Sequence, residues 1–181
     1  MANAEQIADL LKKLEAERAV LLDTLEDVSE DAAGQQPPEG EGEAGWSIKE
    51  QLVHLASMDR SYREWIRRAL AEDRPNVSDG RTPNRPLEIP LERAHEAPLA
   101  KLVEQMGSER AETLSLARSL TPEQFDRSAI QQTFGELTVL QWLRSYYRHD
   151  RMHHAQIRGE ESEYQPRYAP GQQEPGRSNA P

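Results

Sequence analysis

Four stretches of the chain repeat apolar residues at three- and four-residue steps, with charged and polar residues between them. Ile7, Leu10, Leu11, Leu14, Leu21, Leu22 and Leu25 form the first stripe, and Ile48, Leu52, Leu55, Met58, Tyr62, Ile66 and Leu70 the second. Leu99, Leu102, Val103, Met106, Leu114, Ala117 and Leu120 form the third, and Trp142 and Tyr146 open a fourth that continues through His149, His153 and Gln156. This period places each set on one side of an α-helix. The spacing predicts helices over about residues 4–27, 47–72, 98–120 and 138–159.

The punctuation agrees. Ser47 with Glu50 and Thr138 with Gln141 have capping-box spacing, in which each side chain satisfies a free N–H of the other. Thr121-Pro122-Glu123-Gln124 offers the same signal with proline at the first helical position, enough for one short turn through Phe125. The segment from Gly34 to Glu43 holds two prolines and several glycines and reads as a loop. Residues 128–137 have mild strand character around Gly135, which suggests an irregular hairpin. Residues 74–97 carry four prolines and few apolar residues, so an extended crossover loop is expected; loops of that length tend to be lids, rims or disordered. Residues 161–181 have almost nothing to bury and are expected to be a disordered tail. The fold class that follows is all-α: an antiparallel four-helix bundle in one domain, residues 1–160, with a long crossover at about 74–97.

Composition narrows the partners. The formal charge is −10, from 22 basic and 32 acidic residues. With no long basic run, nucleic acid and anionic membrane surfaces are poor partners. No apolar run approaches the roughly 20 residues that span a bilayer, and the N-terminus lacks the layout of a signal peptide. Cysteine is absent. There is then no disulfide, no thiolate ligand and no sulfur nucleophile in the chain itself, and a reduced cytoplasm is the expected compartment. Trp65, Leu70 and Tyr147 lack an obvious place in four modest stripes, which suggests a homodimer through one helical face.

The chemistry concentrates in histidine. His149 and His153 are four apart, so a helix sets them on one face one turn from each other, where two imidazoles can grip one first-row metal ion. An i,i+4 pair on a polar helix is also often merely solvated. His54, two turns into the second predicted helix, can complete a three-imidazole site if the two helices pack together; taken singly it reads equally as a partly buried core histidine. Three neutral imidazoles with open positions are the composition of a catalytic metal site, and Zn, Ni, Fe and Cu all suit imidazole. His95 reads as a surface residue, and His154 points about 100° from the pair.

Trp46-Ser-x-x-Glu50-x-x-x-His54-Leu55, together with His149-x-x-x-His153-x-x-Gln156-Ile157, resembles the DinB-like superfamily of bacterial four-helix bundles, over roughly residues 4–158 in layout. The resemblance implies that His54, His149 and His153 bind a divalent metal (Zn, Ni or Fe), with Glu50 and Gln156 near it. For Glu50 the capping box competes with that role. The family includes thiol-dependent S-transferases and metal-dependent hydrolases. Since the chain has no cysteine, a thiolate would have to come from a low-molecular-weight thiol. The expectation is a metal-dependent enzyme acting on small molecules, a thiol S-transferase or related isomerase first and a hydrolase second. A non-enzymatic, stress-associated metal- or ligand-binding protein is the alternative.

Overall fold

The computed structural model describes residues 2–38 and 42–172. Four long helices make the body: α1 (Ala4–Thr24), α3 (Ile48–Ala71), α4 (Leu99–Ser119) and α5 (Val139–Ile157). A short α2 (Glu30–Gly34), capped by Ser29, falls in what the sequence suggested was connector, and α1 stops at Thr24 rather than near residue 27. Ser47–Glu50, Thr121–Gln124 and Thr138–Gln141 all form reciprocal capping boxes. The hairpin is present as β1 (Ser128–Gln131) and β2 (Gly135–Thr138), antiparallel and in register Ser128↔Thr138.

The bundle closes in an order that the sequence did not reveal. α1 packs on α5 and α4, and α3 packs on α4 and α5. Lys13 lies over Tyr147 and Glu17 pairs with Arg151, so α1 and α5 run in the same direction. Leu52 and Leu55 share a core with Leu102 and Met106, while Ile66 and Ala69 share one with Ala117, so α3 and α4 also run parallel. The antiparallel pairs are α1/α4, through Arg18 to Met106 and Arg110 to Leu14, and α3/α5, through His54 to His149 and Tyr146 to Asp59. Parallel neighbours require a chain that returns the full length of a helix, which is what residues 72–98 supply. This connector is anchored. Asn76 bridges to Ile130, Arg68 binds Asp79 and Thr82, and a 3₁₀ segment (Leu91–Glu96) buries Ala94 in the core.

Two apolar cores fill the bundle. One holds Leu10, Leu14, Ile66, Trp142 and Leu143; the other holds Leu21, Leu52, Leu55, Leu102 and Met106. Between them lies a layer of buried charge. Arg18 donates to Asp150 at 2.8 Å and to Asp59 at 2.9 Å. Arg110 reaches Asp59 at 3.1 Å and Asp150 at 2.8 Å. Thr113 also donates to Asp59. Burial alone would raise the Asp150 carboxyl, but the Arg110 and Arg18 guanidiniums hold it below its ordinary value.

Trp65 and Tyr147, which suggested a dimer face, are each only 7% exposed within the single chain, and Leu70 packs against the same core. That argument for a homodimer falls. Residues 161–172 form neither helix nor strand, yet they are placed: Ala169 N–H donates to the Thr133 carbonyl at 2.7 Å, and Tyr168 stacks on Phe134. Residues 173–181 of the expected tail lie outside the described residues.

Candidate metal centre

α3 and α5 meet antiparallel at His54 and His149, and the i,i+4 spacing on α5 adds His153 one turn on. His54 Nε2 lies 3.3 Å from His149 Nε2, which lies 3.1 Å from His153 Nε2. A fourth group closes on them. Glu43, on the 3₁₀ segment Gly42–Gly45, sets Oε1 3.1 Å from His54 Nε2, and its Oε2 lies 3.3 Å from His149 Nε2 and 3.4 Å from His153 Nε2. Gly42, with φ of 54°, turns the chain into that segment, a conformation that glycine adopts without steric cost. All four residues are at most 9% exposed.

Hydrogen bonding fixes the tautomer of His153. The Gln51 amide nitrogen donates to the Trp46 carbonyl at 3.1 Å, which leaves its oxygen to accept from His153 Nδ1 at 2.9 Å. His153 Nε2 is then a bare lone pair aimed at His149 and Glu43. Burial pushes the His153 imidazole down to about 4, against the weaker pull of Glu43. Burial would raise the Glu43 carboxyl, but the His149, His153 and His54 rings around it hold it well below the usual carboxylate range. Trp46 meets His54 edge-on at 4.9 Å and steadies its ring.

The donor set fits a divalent ion. Two ligand atoms each about 2.0–2.1 Å from one tetrahedral ion lie roughly 3.3–3.4 Å apart. Five of the contacts here are 3.1–3.4 Å, and the ligand atoms of all four residues lie within 4.8 Å of one another. Lone pairs and a carboxylate crowded together out of water repel one another unless a cation or protons lie among them.

The three histidines singled out from the sequence thus come together, while His95 stays exposed and His154 does not join the cluster. The two supporting residues expected from the resemblance are elsewhere. The Glu50 carboxylate accepts from the Ser47 N–H and hydroxyl and from Gln36, and Gln156 lines a smaller cavity beside Met152 and Tyr168. Gln51 and Glu43 hold the positions around the imidazoles instead. Gln51 was within reach of a sequence argument, since it stands three residues before His54 on one helix face. Glu43 sits in a glycine-rich loop and carries no such signal.

One side of the cluster opens to a cavity of about 910 Å³ between α3, α5, the hairpin and residues 163–168. Glu43, His54 and His149 form part of its wall, and Met58, Tyr62, Trp65 and Phe134 supply an apolar side.

Known proteins resemble this chain in sequence or in fold. Uncharacterized protein YuaE of Bacillus subtilis strain 168 is 27% identical over 143 residues, a match covering 74% of this chain and 86% of YuaE. The solved structure of YfiT from Bacillus subtilis superposes with a TM-score of 0.68 at 22% identity, covering 88% of this chain and 87% of YfiT. YfiT is described as a probable metal-dependent hydrolase with an unusual four-helix bundle topology. The model of the DinB superfamily matches residues 13–157, and the chain belongs to that superfamily.

Proposed function

We propose that this protein is a divalent-metal-dependent enzyme of small-molecule substrates, with His54, His149 and His153 as the ion's ligands, and that its reaction is hydrolysis. The observation that carries the proposal is the meeting of three imidazole nitrogens and one carboxylate, all within 4.8 Å of one another, beside a cavity. The description of YfiT supports the reaction class. A divalent ion bound there would supply Lewis acidity, polarising a carbonyl or acidifying a nucleophile. Glu43, beside the imidazoles and on the cavity wall, is placed to take the proton that an attacking water must lose and to return it to the leaving group. Gln51 keeps the proton of His153 on Nδ1 and its lone pair inward.

Metal analysis of untagged protein tests the ligands: about one ion per chain, lost in His153→Ala. Glu43→Gln separates the roles: it should keep the ion while hydrolysis of activated esters falls by at least about 100-fold, the scale of a general base. Loss of the ion in Glu43→Gln would make Glu43 a fourth ligand and the site a closed one.

A second reading, thiol S-transfer, is favoured by one observation. The cavity is near the upper end of small-molecule sites, at roughly 300–1,000 Å³, and so has room for a thiol and an electrophile together. Turnover that requires an added low-molecular-weight thiol would select it.

A further inference from the structure

The cavity has a charge pattern opposite to that of the whole chain. The protein carries a net charge of −10, yet the rim beyond the histidines presents Arg144, Arg148 and Arg167 against a single carboxylate, Glu163. Arg144 and Arg148 are four apart on α5, and with Gln141, Ser145 and His149 they complete an i, i+3, i+4, i+7, i+8 face directed into the cavity. The guanidinium of Arg148 lies 5.9 Å from the Tyr164 ring centroid and 5.8 Å from that of Tyr147, which steadies its planar fork. Among the described residues Arg144, Arg148 and Arg167 form no ion pair with a carboxylate, whereas Arg18, Arg63, Arg68 and Arg110 all do.

We propose that Arg144 and Arg148 are the specificity determinants of this cavity, and that its ligand is a small molecule with an aromatic or apolar body and an oxyanion, carboxylate or phosphate, held by the two guanidiniums. The proposal builds on the reading of the His–Glu cluster as the reactive end. Along the α5 axis Arg144 is five residues from His149, roughly 7–8 Å, the length of a short acyl or phenylalkyl chain, and Arg148 is the neighbour of His149. The apolar stretch between is matched by Met58, Tyr62 and Trp65. A guanidinium binds a planar carboxylate or a phosphate bidentately, and the local positive field draws anions to a protein that would otherwise repel them. Arg167 and Tyr168 come from the segment after α5, so that segment forms part of the binding wall.

The test is calorimetric titration of full-length protein, first stripped of metal with a chelator so that binding at the arginines is read apart from coordination. The probes are 4-phenylbutyrate, phenyl phosphate and the neutral 4-phenylbutyramide. At least one anion should bind 10-fold or more tighter than the amide. That preference should shrink to less than about twofold in Arg144→Gln/Arg148→Gln, and largely return in Arg144→Lys/Arg148→Lys, which keeps the charge and excludes a mere packing effect. Which anion wins identifies carboxylate or phosphate as the recognised end. Equal binding of anions and amide, or a preference that survives the double glutamine variant, overturns the proposal. Because no metal is present, the result does not depend on whether the protein hydrolyses anything.

Discussion

α3 and α5 each contribute to two buried polar clusters, and the clusters are built on opposite principles. In the mid-bundle layer, Asp59 and Asp150 face Arg18 and Arg110: two negative charges meet two positive ones, with Thr113 adding a donor. A few residues away on the same helices, His54 and His149 face His153 and Glu43, where three imidazoles crowd around one carboxylate. The first cluster is charge-balanced and needs nothing from outside. The second lacks positive charge at its centre. The physical difference between a structural and a functional buried polar group is visible here as the presence or absence of compensation.

The largest expected effect breaks the balanced cluster. Asp150→Ala leaves Arg18 and Arg110 buried around one carboxylate and should cost about 3–5 kcal/mol, read by urea unfolding of metal-free protein. Lower pH separates the clusters next. His153 has a folded value of about 4 against an ordinary 6.5. Its contribution is therefore fully present above about pH 6.5 and lost as pH falls towards 4, on the order of 3 kcal/mol by linkage. The Asp150 carboxyl, held below its ordinary value, begins to contribute in the same direction only at lower pH. Melting of metal-free protein between pH 7 and 4 should thus show an early loss that His153→Ala lacks.

A cation should act on the second cluster alone. Zinc at about 100 times its Kd should stabilise metal-free protein by about 2.7 kcal/mol, and His54→Ala or His153→Ala should abolish the gain. Gln51→Ala is the smallest change. It releases the His153 ring without removing a ligand, and should weaken zinc binding by about 10- to 100-fold while leaving one ion per chain at saturation. A Gln51→Ala protein with unaltered affinity would show that packing alone sets the ring.

Local sequence determined much of this molecule. Helix positions followed from apolar period and from caps such as Ser47–Glu50 and Thr138–Gln141, because both are set by contacts within one turn. The pairing of His149 with His153 followed for the same reason. Tertiary structure alone decided the rest. The parallel pairing of α3 with α4 depends on where a 27-residue connector (72–98) delivers the chain, and nothing local encodes that. The sequence resemblance directed attention to Glu50, whose carboxylate was already engaged by its own cap; Glu43 took the place beside the imidazoles because a loop 106 residues from His149 in sequence folds across α3 and α5. The charged layer is equally invisible in sequence, where Arg18 and Asp150, 132 residues apart, look like surface residues. Short-range stereochemistry is written in neighbouring residues, whereas compensation of buried charge is a property of the packed whole.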